Sequence, residues 1–172
     1  YQTSGNIAVF DEDAIRYIDF VTEFANAFEL ADEQAAPLER QMLDFLGGKE
    51  PGEVDSEPVQ RVKALIRRGE ARAAGRYCGL PNERMHFMDM PFYETGRVRK
   101  KPISDEDVRI TVDLLNEVKP HQIYVAGDLS DPHGTHRTCL TAALRAIDVI
   151  KDQAWYQDCA VWLYRGAWQE WG

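Results

Sequence analysis

Two short apolar runs, separated by one long helical pattern, constrain the fold more than any other feature of this sequence. The first run is Ile123–Gly127 and the second is Cys159–Tyr164. Between them, Thr135–Lys151 repeats apolar residues at the helical period. Two strands that are joined through a helix pair in parallel, because the crossover returns the chain to the same end of the sheet. The sequence therefore predicts an α/β fold with a largely parallel sheet.

Several further segments have a clear structural signature. Amphipathic patterns predict helices that begin at Asp11, run roughly from Asp32 to Leu46, and run from Ser56 to about Gly79. Another helix is predicted from a capping box, Ser104 to Asp107, to the residue before Pro120. An exposed loop is predicted over Gly47–Pro58, a short strand around Met85–Met88, and the end of a strand in the opening residues "YQTSGN".

Composition limits the class of protein. The 172 residues, with 44% hydrophobic and 28% charged side chains, predict one soluble globular domain over residues 1–172. A formal charge of -9 argues against nucleic-acid binding, although a local basic patch is compatible with it. Three widely separated cysteines favour a reducing cytoplasm over a disulfide framework. No apolar run approaches the roughly 20 residues that cross a bilayer, so no membrane association is expected.

The candidate site lies in the loop after the first predicted strand, Asp128–Gly134. In an open parallel sheet, ligands gather at the carboxyl ends of the strands. Asp131 and Pro132 form a good N-cap and first-turn pair, which places His133 and His136 in or just before the first helical turn. If that turn is helical, the spacing of three puts both imidazoles on one face, where they can meet one ion or one substrate.

Two interpretations of these histidines are open. In one, they contribute to a metal site, and Asp128 or Asp131 orients an imidazole. In the other, Asp131 is an ordinary helix cap and both histidines lie in a polar loop. Cys139 extends the series, but a free cysteine on a helix is more typical of a small buried hydrophobe. His86 and His121 are interpreted as structural.

Two other clusters have a functional and a structural interpretation. One set could bind an anion or form the solvated face of a helix: Arg67, Arg68 and Arg72. Another could line a sugar pocket or belong to the core or a subunit contact: Tyr164, Trp168 and Trp171.

The stretch "GDLSDPHGTHRTCLTAALRAI" resembles the PIG-L/LmbE-like family of zinc-dependent N-acetylglucosaminyl deacetylases. It is more similar still to a subgroup in which this domain follows a glucosamine-6-phosphate deaminase (isomerase) domain. "YQTSGN" resembles the family's second strand and loop, and "RRGEARAAGRYCGLPNERMHFMDMP" resembles its R-x-x-E-A helix and the next strand. The resemblance covers nearly all 172 residues and implies a three-layer, Rossmann-like fold.

The resemblance also implies residue roles. His136 matches a zinc ligand, and His133 matches a catalytic histidine that stabilises an oxyanion or moves a proton. In the family, a His-Pro-Asp-Asp motif supplies two more ligands and the general base, and the sequence contains no such motif. We therefore expect a domain truncated at both ends. It should bind zinc weakly or not at all and hydrolyse nothing, whereas the intact domain would bind zinc.

The expected setting is amino-sugar metabolism in the cytoplasm. The resemblance implies a hydrolase whose small-molecule partner is an amino sugar or a sugar phosphate. It also implies an upstream deaminase domain in the same polypeptide, and it is compatible with a homo-oligomer. One alternative is a non-catalytic domain that mediates assembly or senses a sugar phosphate. Another is a flavodoxin-like binding module without a metal.

Overall fold

The computed structural model describes residues 1–30, 35–127 and 130–166. Its α-helices are α1 (Asp11–Ala27), α2 (Ala35–Gly48), α3 (Glu57–Tyr77), α4 (Asp105–Val118) and α5 (Thr135–Ile150). Its strands are β1 (Gln122–Ala126) and β2 (Ala160–Tyr164), and short 3-10 turns occupy Asn6–Ala8, Asn82–Arg84 and Ala154–Asp158. Across the described residues, no helix combines the length and the apolar character needed to span a membrane.

The chain divides into two compact units. The first unit contains Tyr1 and residues 3–87, and the second contains Gln2 and residues 88–172. The first holds α1, α2 and α3, and the second holds α4, α5 and both strands. The assignment of residues 1–172 to a single domain stays a prediction.

The first unit is built around three mutually contacting helices. Their shared core contains Ala14 and Ile18 of α1, Met42 and Leu46 of α2, and Val59 of α3, all buried. The apolar stripe predicted for α1 is covered only in part, because Val21 and Phe28 remain 61% and 63% exposed. Helical period therefore located α1 correctly, while its outer apolar positions are not part of this core.

An alternating ring of two lysines and two aspartates, here called the ion ring, joins α1, α3 and the segment after α2. The Lys63 ammonium lies 2.5 Å from the Asp11 carboxylate and 2.7 Å from that of Asp55. Lys49 lies 3.0 and 2.6 Å from the same two groups. The Lys63 side chain is only 3% exposed, so these bonds replace the water that it loses on burial.

The predicted exposed loop Gly47–Pro58 needs correction. Helix α2 continues through both glycines to Gly48, and α3 begins at Glu57 with Pro58 in its first turn. The intervening segment is not fully exposed, because Lys49 and Asp55 are drawn inward by the ion ring. The solvated character predicted from Gly, Pro and charge was wrong at these two residues.

Helix α3 runs without interruption through two glycines that weaken helical propensity. At Gly75 there is a packing reason, since a Cβ atom there would overlap the Sδ atom of Met85. At Gly69 nothing lies within 4 Å of such an atom. Close packing therefore explains the glycine at position 75 and does not explain the one at position 69.

The short strands predicted in the opening residues and around Met85–Met88 are absent. Residues 1–5 and 85–88 adopt no strand conformation, and the opening stretch instead forms the 3-10 turn Asn6–Ala8. The N-terminal amine of Tyr1 donates to the carbonyl of His86 at 2.8 Å. A strand requires a repeated ladder of such bonds with a neighbour, which these residues do not form.

The second unit contains the parallel sheet. Strands β1 and β2 pair in parallel, with Gln122 opposite Ala160 and Ala126 opposite Tyr164. Helix α5 connects them, and Val125 packs with Leu140 and Ala143 of this helix. The predicted α/β class and parallel pairing are confirmed for these two strands.

Helix α4 begins with the capping box that the sequence predicts. The Ser104 hydroxyl accepts from the Asp107 backbone N–H, and the Asp107 carboxylate accepts from the Ser104 N–H at 2.8 Å. Asp107 is fully buried and also accepts from the Phe92 N–H at 3.0 Å. The cap thus anchors the segment before α4 as well as the helix itself.

Candidate functional site

The turn that leads from β1 into α5 is organised by one buried carboxylate. Asp131 is 2% exposed, and its two oxygens accept hydrogen bonds from the backbone N–H groups of His133 at 3.0 Å and His136 at 2.7 Å. The His136 N–H is one of the donors at the start of α5 that have no partner within the helix, and Asp131 satisfies it. This arrangement, which we call the Asp131 clamp, fixes the backbone positions of both histidines.

The position of Asp131 differs from the prediction. It was expected at the N-cap, with Pro132 as the first helical residue, but α5 begins at Thr135 and its N-cap is Gly134. Gly134 has a φ of 73°, in the left-handed region that glycine enters without steric cost. The aspartate still caps the helix, because its side chain reaches forward across this turn.

The two histidines therefore occupy different kinds of position. His136 is the second residue of α5 and is partly buried, whereas His133 precedes the helix and is exposed. Both imidazoles would share one helical face only if the chain from His133 to His136 were helical. Because α5 begins at Thr135, it is not. The Asp131 clamp links the two residues through their backbone N–H groups.

The described residues do not form a complete metal site. Among them, no group of three or more His, Cys, Asp or Glu side chains is arranged to hold a metal ion. A catalytic zinc site needs about three protein ligands. Asp128, predicted to orient an imidazole, lies outside the described residues.

Cys139 fits the interpretation of a packed thiol better than that of a ligand. Burial raises the pKa of its thiol to about 12. Metal ligation requires the thiolate, which such a pKa makes scarce near neutral pH. Its backbone carbonyl accepts from the Gln2 side-chain amide at 3.1 Å.

The remaining predicted candidates are dispersed. The backbone carbonyl of His86 accepts a hydrogen bond from the N-terminal amine of Tyr1. The backbone carbonyl of His121 accepts one from the N–H of Ala160. Tyr164 is 49% exposed at the end of β2. Trp168 and Trp171 lie outside the described residues.

Two arginines of the predicted cluster, Arg67 and Arg68, line a cavity of about 370 Å³ in the first unit. The guanidinium groups of Arg68 and Arg72 lie 5.4 and 5.3 Å from the centre of the Phe87 ring, and this ring stacks on Tyr1 at 5.1 Å. Arg67 forms an ion pair with Glu70. A cationic side chain over an aromatic face is stabilised by the ring quadrupole.

The sequence left an anion site and a solvated helix face open for these arginines, and it did not predict this cavity or the part that the opening residues take in it. Its wall includes Thr3, Ser4 and Gly5 from the opening stretch and Arg67 and Arg68 from α3. Gly5, at a φ of 70°, passes so close to α3 that an added Cβ atom would lie 3.2 Å from the Arg67 Nε atom. In the sequence, the signal that could have indicated this cavity was the group of glycine and hydroxyl residues in "YQTSGN".

Comparison with known proteins gives one informative match. No family model matches the chain, and no solved structure is significantly similar to it. A Bacteroides thetaiotaomicron protein named "Putative glucosamine-6-phosphate deaminase-like protein" is 49% identical over 174 residues. The match covers 99% of this chain and 26% of that protein, so the chain spans about a quarter of the relative's length.

Proposed function

We propose that this chain is an LmbE-like, three-layer α/β domain of a protein of amino-sugar metabolism, and that the turn at His133 and His136 is part of its site. The observation that carries the proposal is the Asp131 clamp, which holds both histidines beyond the carboxyl end of β1. The name of the relative, which refers to glucosamine-6-phosphate deamination, supports the substrate class.

In this proposal the two histidines have different tasks. His136, partly buried at the start of α5, is a zinc ligand, and the exposed His133 contacts the oxygen of a substrate amide. The described residues alone do not fit a catalytic zinc site, since no three of their His, Cys, Asp or Glu side chains are grouped to hold a metal ion and His136 is the one ligand assigned. We therefore assign no reaction step to a metal, and the further ligands would come from outside the described residues.

A second candidate, sugar-phosphate binding without catalysis, is favoured by the cavity beside α3. Arg68 brings positive charge to it, Arg67 brings a guanidinium that is paired with Glu70 of the same wall, and Thr3 and Ser4 bring hydroxyl groups. Guanidinium groups recognise phosphate oxygens through paired hydrogen bonds, and hydroxyl groups can bind a sugar. This cavity lies in the first unit and does not depend on His136.

Zinc uptake tests the first candidate. Native mass spectrometry of the purified protein with added zinc should show weak binding that is lost in His136→Ala and retained in the matched control His121→Ala. Tight binding that survives His136→Ala would contradict the assignment of His136. Zinc-supplemented protein should release no acetate from N-acetylglucosamine 6-phosphate if the described residues are the only ligands.

Calorimetric titration with glucosamine 6-phosphate tests the second candidate. Arg68→Ala should weaken binding if the cavity beside α3 holds the phosphate, while the exposed control Arg61→Ala should leave it unchanged. If His136→Ala weakens the same binding instead, the ligand occupies the histidine site. Equal binding by all three variants would exclude both placements.

A further inference from the structure

A short loop of the second unit carries an unusual concentration of positive charge. Residues 96–101, here called the basic loop, contain Arg97, Arg99, Lys100 and Lys101 in five successive positions. Arg97, Arg99 and Lys101 are exposed, and Val98 between the two arginines is 64% exposed. Outside this loop the chain has 16 Lys and Arg against 29 Asp and Glu.

The basic loop is held in place by its own contacts. The Lys101 N–H donates to the Phe92 carbonyl at 3.1 Å, which closes the loop at its base. The Lys100 ammonium donates to the Arg97 carbonyl at 2.9 Å and lies 4.1 Å from the centre of the Tyr93 ring. Phe92 and Tyr93 are buried, so the loop is anchored in the unit. A pre-ordered loop loses less conformational entropy when it binds a partner.

The loop's outward cations are not neutralised within the part of the chain that the structure describes. There, Arg97, Arg99 and Lys101 take part in no ion pair, whereas Arg109 in the following helix pairs with Glu106 and Asp113. Lys100 differs, because its ammonium is used to hold the loop together. The three outward charges are therefore available to a partner.

The charge of the whole chain selects the kind of partner. A nucleic acid or an anionic bilayer extends well beyond the Debye length of about 10 Å and would meet the acidic remainder of the chain. A short acidic segment covers only the loop and avoids that repulsion. Two arginines offer paired donors that match carboxylates, and Val98 offers an apolar contact between them.

We propose that the basic loop is a docking surface for a short acidic segment of a partner protein, with carboxylates against Arg97, Arg99 and Lys101 and an apolar side chain against Val98. The surface is distinct from the histidine turn and from the arginine-lined cavity. It gives the chain a second, electrostatic function that steers and orients a protein partner.

Fluorescence anisotropy with a labelled heptapeptide, six glutamates around a central leucine, tests the proposal. The variant R97E/R99E/K101E should weaken binding about tenfold, because it removes three exposed ion pairs and adds repulsion between like charges. The matched control R40E/R61E/R145E changes the net charge equally at exposed arginines and should stay within about twofold of the parent. Binding to the parent should weaken as salt is raised.

Several outcomes would overturn the proposal. Equal weakening in both triple variants would mean that only net charge matters. Tighter loop-dependent binding of labelled oligothymidylate, or of phosphatidylserine vesicles, would mean that the partner is a nucleic acid or a membrane. Thermal unfolding checks the fold of each variant, and R97Q/R99Q/K101Q, expected to weaken binding about threefold, replaces the charge-reversal variant if that variant unfolds.

Discussion

The Asp131 carboxylate accepts a 2.7 Å hydrogen bond from the backbone N–H of His136, five residues further along the chain. A side chain that lies outside the helix thus caps it, across a left-handed turn at Gly134. The same carboxylate accepts from His133, so the cap and the spacing of the histidines are one structural feature. Disrupting it should affect stability and site geometry together.

Replacing Asp131 with alanine should lower the free energy of unfolding by about 1–2 kcal/mol, the usual cost of losing a helix-capping side chain. The loss should appear in urea unfolding curves, with faster hydrogen exchange at the His136 amide. Asp152→Ala, an exposed aspartate after α5, is the matched control and should change little. Equal stability of the two variants would show that the clamp contributes nothing.

Asp55→Asn should destabilise the first unit strongly. Asp55 is 11% exposed and bonds both lysines of the ion ring, so its loss leaves the buried Lys63 and Lys49 to share the one remaining carboxylate of the ring, that of Asp11. Breaking a buried pair in this way costs about 3 kcal/mol or more. Asp113→Asn removes a pair that is 64% exposed at both partners and should cost under about 0.5 kcal/mol, which denaturant titration can distinguish.

The contribution of the ion ring to stability should be constant over a wide central pH range. Burial alone would raise the pKa of Asp11, but hydrogen bonds from Lys63 and Lys49 outweigh it and hold this pKa below the ordinary 3.8. Its contribution is therefore complete above pH 3.8 and is lost as the pH falls through the lowered value.

At the alkaline end, the relevant group of the ring is Lys49. Burial would lower its pKa, but hydrogen bonds from Asp55 and Asp11 raise it above 10.5. Its contribution is complete below pH 10.5 and is lost as the pH rises through the raised value. Melting temperatures of the parent and Asp11→Asn should differ by a constant amount between these limits and converge in acid. A difference that changed near pH 7 would contradict this assignment.

The two interior glycines of α3 should respond oppositely to alanine. Gly69→Ala adds a methyl group where nothing lies within 4 Å, so it should stabilise the helix by up to about 1 kcal/mol. Gly75→Ala forces the buried Met85 side chain to move and should destabilise by about 1–3 kcal/mol. Thermal unfolding of the two variants measures both, and the same sign for both would refute the packing argument.

The three cysteines should differ sharply in their reactivity toward a thiol reagent at pH 8. Cys78 is exposed and should react first. Cys139 should react very slowly, because a pKa of about 12 leaves roughly one thiolate in ten thousand. Cys78→Ser should remove the rapid phase, and a rapid phase that persisted through Cys139 would contradict its burial.

Local signals in the sequence predicted much of the fold. The capping box at Ser104 and Asp107 and the helical period before Ile150 depend on nearby residues, and both were confirmed. The pairing of β1 with β2 followed from the helix between them. These features need no knowledge of distant parts of the chain.

Features that depend on distant contacts or on backbone geometry could not be predicted in the same way. Lys49 and Asp55 looked like solvated loop residues, because their partners Asp11 and Lys63 are distant in sequence. A shared helical face for His133 and His136 was predicted on the condition of a helical turn, and the left-handed turn at Gly134 does not meet that condition. The apolar period of α1 could not indicate that Phe28 would remain exposed.

The parallel pairing of β1 and β2 has a consequence for the order in which the second unit folds. Strand β1 cannot find its partner through a tight turn, because α5 and the turn Ala154–Asp158 lie between them. During synthesis, β1 and α5 leave the ribosome first and can pack through Val125 and Leu140. The pairing of β1 with β2 can form only after Ala160–Tyr164 has emerged, when the contact between α5 and β1 is already available.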